Sequence, residues 1–137
     1  MYNGMQSKYL IEVVVIDPYK KELSWQTVDN NCDPQIFTYI MQCRNFDVVR
    51  LGDNVIMYVD DEGLLKNPNS YFSFITNNVE SQGFAGIAIL ATTNSEGDTL
   101  SFDKDIGEVR NILHWKPEGY SEEPYMEFIP LDDKVLH

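Results

Sequence analysis

The sequence predicts a single α+β domain: a twisted, mainly antiparallel β-sheet with two helices packed on it. Three observations carry that expectation. Apolar residues alternate with polar ones in short runs bounded by turn residues, two segments repeat their apolar residues at helical spacing, and 137 residues of 43% hydrophobic content suffice to bury one core. The expected layout is a core domain over residues 1–116 and an acidic, aromatic segment over 117–137.

Residues 1–7 carry no periodic pattern, and the first strand is YLIEVVVID. Pro18 ends it, because its fixed φ and missing N–H stop a ladder, and a turn runs through Lys20 and Lys21. Leu23 to Val28 returns antiparallel, with Leu23, Trp25 and Thr27 on one side. Asp33-Pro34 opens a helix, since an Asp oxygen accepts from free first-turn N–H groups and Pro loses nothing at the first helical position. That helix should run to about Cys43, packing Ile36, Phe37, Ile40 and Met41 on the sheet, with Arg44 and Asn45 at its negative pole.

A central hairpin follows in FDVVRLGDNVIMYVDDEGLLK, with Val49 and Leu51 sharing a face with Val55, Met57 and Val59. Its turn is expected at Gly52-Asp53 or Asp53-Asn54, where Gly52 tolerates positive φ. Asp60-Asp61-Glu62-Gly63 breaks the second strand, and YFSFI at 71–75 forms another, followed by a polar loop from Thr76 to Gln82. FAGIAILATT reads as one central strand, with Gly86 where a side chain would crowd a neighbour. Ser95-Glu96-Gly97-Asp98 closes it with a turn. Ile106, Val109, Ile112 and Leu113 mark a second helix within 103–114, ending before Trp115, and Lys116 to Tyr120 is a breaker-rich boundary.

The net charge of −12 and pI near 4.3 disfavour a nonspecific grip on nucleic acid or on an anionic membrane. The partner should therefore be basic, or small, unless the acidity serves solubility alone. Cys32 and Cys43, if joined by helix, stand about 16 Å apart, too far for a bridge. Two reduced thiols, with no signal-peptide pattern and no long apolar run, predict a cytoplasmic protein, in the host cytoplasm if the chain is viral.

Asp60, Asp61 and Glu62 could offer oxygens to a hard cation, but the spacing of a calcium loop is absent and adjacent strand residues point to opposite faces. A solvated turn and no metal is the expectation. The only histidines, His114 and His137, are far in sequence from both thiols, so neither a zinc site nor a Cys nucleophile with its base is expected. Cys32 also borders Asp33, which would raise its pKa. No glycine-rich phosphate loop is present, and the reading assigns no catalytic residue and no cofactor. A small nucleotide could still be held by Arg50 or Arg110 on phosphate, with Tyr71, Phe72 or Trp115 against the base, at the boundary of a homodimer.

The C-terminal segment is the main candidate for a partner-binding surface. Glu118, Glu122, Glu123, Glu127, Asp132 and Asp133 can imitate backbone phosphates or meet a basic patch. Tyr120 and Tyr125 are interface anchors by type. The same stretch also reads as a final strand, Tyr125 to Ile129, with its acids facing water.

VVIDPYKKEL, FDVVRLGDNVIMYVDDEGLLKNP and FAGIAILATTNSEGD, in that order across about residues 12–98, give a resemblance. The chain resembles the phage- and plasmid-borne family known as domain of unknown function 3846. The resemblance implies a small α+β domain of mobile-element or viral origin and carries no assigned catalytic residue; the acidic segment after Trp115 departs from the family. The expected function is that of a non-catalytic accessory protein that binds a basic surface of a host protein. It would act as an inhibitor by nucleic-acid-like mimicry, without touching nucleic acid or membrane. The alternative is a nucleotide-sequestering protein of a phage counter-defence system.

Overall fold

The structure is a computed structural model that describes residues 10–30, 35–62, 70–117 and 120. It is a single α+β domain of antiparallel strands and two helices. In chain order the elements are β1 (Leu10–Asp17), β2 (Glu22–Asp29), α1 (Gln35–Met41), β3 (Phe46–Arg50), β4 (Val55–Asp60) and β5 (Tyr71–Thr76). Then come β6 (Val79–Glu80), β7 (Phe84–Ala85), β8 (Ala88–Thr93), β9 (Thr99–Leu100), α2 (Ile106–Ile112) and β10 (Leu113–Trp115).

A six-stranded sheet runs β2-β1-β8-β4-β3, with β9 added to β8; a four-stranded sheet runs β10-β5-β6, with β7 added to β5. Strand alternation gives the central sheet two apolar faces, and each is covered differently. Val14, Ile16, Val49, Met57 and Leu90 pack on Phe72, Phe74 and Phe84 of the second sheet and on Val109 of α2. Ile11, Val13, Ile56, Tyr58 and Ile89 pack on Phe37 and Met41 of α1. Phe72 and Phe74 are almost wholly buried between the sheets, and each contributes about 2 kcal/mol by leaving water.

The first hairpin closes as its residues predict: Asp17 Oδ1 accepts from the N–H groups of Tyr19 (3.0 Å) and Lys20 (3.2 Å), and Lys21 takes φ 56°. The central hairpin has the expected face, with Val49 opposite Met57, but a longer turn. Leu51 N–H reaches Val55 O at 2.9 Å, so Gly52, Asp53 and Asn54 all lie in the loop, and Gly52 does not take positive φ. A longer loop relieves the twist that makes a tight turn require it.

Three further elements differ from the sequence reading. FAGIAILATT is not one strand: Gly86 takes φ 82° and breaks it, so β7 joins the second sheet while β8 lies at the centre of the first. A Cβ at Gly86 would come no closer to another group than 3.9 Å, to the Tyr19 hydroxyl, so conformation rather than crowding calls for glycine. The loop from Thr76 to Gln82 contains a hairpin, because Asn77 (φ 54°) and Asn78 (φ 66°) form the left-handed pair that a two-residue turn uses. The second helix stops at Ile112, and Leu113, His114 and Trp115 pair with Phe74, Ser73 and Phe72. Leu113 already has ψ 135°, where pairing with β5 replaces further helical turns.

Candidate functional site

On the α1 side of the central sheet the aromatic side chains converge. Phe37 stacks on Tyr58 at 4.5 Å between ring centroids and 14° between planes, and Phe46 meets Tyr58 edge-on at 5.0 Å. The helix that delivers Phe37 shows the predicted stripe, with Phe37 and Met41 buried and Ile36 and Ile40 partly so. Its end comes at Met41 rather than near Cys43. Gln42 takes φ 57°, with Cys43 N–H on Thr38 O (3.0 Å) and Gln42 N–H on Tyr39 O (3.3 Å), the bonding of a Schellman cap. The expected Asp33-Pro34 start, like Cys32, lies outside the described residues.

Beside these rings is a groove of about 310 Å³. Phe46 and Val48 of β3 form one wall, Ile36 and Phe37 of α1 another, and Tyr58 contributes to the lining. Its polar end is already bonded: Tyr58 Oη and Thr99 Oγ1 lie 2.6 Å apart, and Asn30 Nδ2 donates to Thr99 O at 2.7 Å. Burial pushes the Tyr58 hydroxyl pKa up, against the opposing pull of Thr99.

The wall formed by β3 is also a sheet edge. Leu51 N–H points to β4, and so, by the alternation of an antiparallel ladder, do the main-chain groups of Val49 and Asp47. Those of Phe46, Val48 and Arg50 therefore point outward, where no described strand meets them. Val48, 51% exposed, stands at the middle of this edge.

At the end of β4 the carboxylates of Asp60, Asp61 and Glu62 place one oxygen each within 4.8 Å of one another. The expectation that neighbours point to opposite faces fails because a turn begins at Asp61, and Asp60 Oδ1 accepts from Glu62 N–H at 2.9 Å. The trio is not left to itself, since Arg44 Nη2 lies 3.5 Å from Glu62 Oε2.

Of the residues considered for a nucleotide, Arg50 lies on β3, with Nη1 donating to Asp53 O at 2.5 Å. Arg110 is exposed on α2, across the central sheet from α1. Tyr71 is buried with its ring against Tyr120 at 5.2 Å, and Trp115 packs against the core between the sheets. The fold brings Tyr71 and Trp115 onto adjacent strands, β5 and β10, and puts the two arginines on different elements, β3 and α2. Cys43 packs on the α1-side core, while His114 is on β10 of the second sheet, so this thiol and this imidazole do not meet.

Tyr120 is the one C-terminal candidate among the described residues; Glu118, Glu122, Glu123, Tyr125, Glu127, Asp132 and Asp133 lie outside them, as does the strand Tyr125 to Ile129. Tyr120 belongs to a network on the outer face of the second sheet. Lys116 Nζ sits 4.7 Å from the Tyr120 ring centroid and pairs with Glu80, which accepts at 2.6 Å from the hydroxyl of the fully buried Ser73. Lys116 and Ser73 together hold the Glu80 carboxyl below its ordinary pKa. Sequence reasoning missed this network, although Asn77-Asn78 was a readable signal for the hairpin that carries Glu80.

No helix among the described residues is long and apolar enough to cross a membrane. Searches of family models, curated proteins and solved structures find no match to this chain.

Proposed function

We propose that this chain is a non-catalytic accessory protein of a phage or plasmid that binds a basic surface of a host protein in the cytoplasm. Occupying that surface with carboxylates would keep nucleic acid off it. The observation that supports the reading is where the acidic excess sits. With a net charge of −12, no described Asp or Glu is buried, so the charge is available to steer and hold a cationic partner.

Capture from host lysate at moderate salt, identified by mass spectrometry, tests it. The partner should be a basic protein, should be released by raised salt, and should be displaced by double-stranded DNA. Neutralising Glu122, Glu123, Asp132 and Asp133 should abolish capture. Binding that is insensitive to salt and to DNA would overturn the mimicry.

A further inference from the structure

We propose that the β3 edge and the groove beside it receive an extended, basic segment of the partner as an added strand. The inference rests on the reading that the partner is basic, and it names where and how that partner docks. Three features meet at this place.

The first is the edge itself. Phe46, Val48 and Arg50 each present an N–H and a C=O outward, which is what an incoming antiparallel strand pairs with. Hydrogen bonds to main chain are indifferent to the partner's sequence. The second feature supplies selectivity: a residue opposite Val48 has its side chain on the α1 face, over the groove of about 310 Å³ walled by Phe46, Val48, Ile36 and Phe37. That position takes an apolar side chain. The third is charge. Of the two neighbours of that apolar residue, which lie on the other face, one falls next to the exposed Asp47 and the other next to the buried Val49. Two cations also lie here: Arg44 pairs with Glu62 at 3.5 Å, while Arg50, whose Nη1 donates to the main-chain Asp53 O, keeps its full charge at one end of the edge.

The segment that fits carries an apolar residue over the groove and a cation beside Asp47. A second copy of this chain fits less well, because it would bring another net charge of −12 to the same edge.

A fluorescent peptide of about eight residues alternating Val and Lys is the probe, long enough to match the edge. Fluorescence anisotropy measures its affinity, and amide hydrogen exchange reads protection at Phe46, Val48 and Arg50. Val48→Pro removes an outward N–H that the sheet does not use, and Val48→Lys puts a cation at the groove mouth. Each should weaken the peptide at least about tenfold, or 1.4 kcal/mol, while circular dichroism shows the fold retained. A peptide N-methylated at alternate residues keeps its charge and should also bind weakly.

Equal binding by the Val48 variants, or by the N-methylated peptide, overturns the inference. If affinity survives at Val48→Pro but is lost when Glu122, Glu123, Asp132 and Asp133 are neutralised, the docking site falls and the basic-partner reading stands. If the unaltered chain binds neither this peptide nor any folded basic protein, both fall. A dimer that Val48→Pro dissociates and that excludes the peptide assigns the edge to a second copy, which also overturns the inference.

Discussion

The β3 edge and the outer face of the second sheet are both made of short strands with polar and aromatic side chains, yet they end in opposite states. On the second sheet, Ser73, Glu80, Lys116 and Tyr120 use one another's hydrogen-bonding and charged groups. At β3, outward main-chain groups and a groove with apolar walls and a polar end have no described partner. The difference teaches that polar residues alone do not mark a binding surface. A saturated network stabilises the fold, whereas an edge with open main-chain valence and adjacent apolar space can still gain by binding.

The largest effect should come from Phe37→Ala. Losing the Phe37 ring from its stack with Tyr58 should cost about 3 kcal/mol in chemical denaturation, and hydrogen exchange should report loosening on the α1 side before the second sheet. Equal loosening of both sides would break the distinction between the regions. Gln42→Gly should stabilise by about 1 kcal/mol, because glycine takes φ 57° without a Cβ penalty. No gain would place the strain elsewhere.

Lys116→Ala tests the saturated side and should cost under about 1 kcal/mol near neutral pH, since Glu80 is partly exposed and its ion pair is screened. The pH dependence has a definite sign. Glu80 has a lowered pKa in the fold, so its contribution is present above the ordinary carboxylate pKa and lost as pH falls through the folded value. Denaturation at several acidic pH values should therefore show the variant converging on the unaltered protein. The smallest effect is expected from Asn78→Gly, a gain of about 0.5 kcal/mol in thermal or chemical melts, because Asn-Gly is the better left-handed turn pair.

Much of the fold was legible because it is local. The Ile36, Phe37, Ile40 and Met41 stripe, the turn after Asp17 and the shared face of Val49 and Met57 each follow from residues close in sequence. Gly86 was noticed but misread, since a glycine's φ depends on where the chain goes next, and here it passes from one sheet to the other. The second helix was read too long because Leu113 continues its apolar spacing equally well as a strand residue. Of the candidate site, Arg50 was singled out for a different ligand, a nucleotide phosphate, while Val48, Phe37 and Tyr58 had no signal of function, being ordinary apolar and aromatic types by sequence.

By itself the sequence determined the charge balance, the residue types at the turns and the apolar period of each element, because these depend on neighbours along the chain. Only the tertiary structure decided that β8 lies between β1 and β4, that β3 is an edge among the described strands, and that α1 walls a groove beside it. Those outcomes depend on pairing between segments far apart in sequence, where several strands offer similar alternation and the best joint packing selects among them.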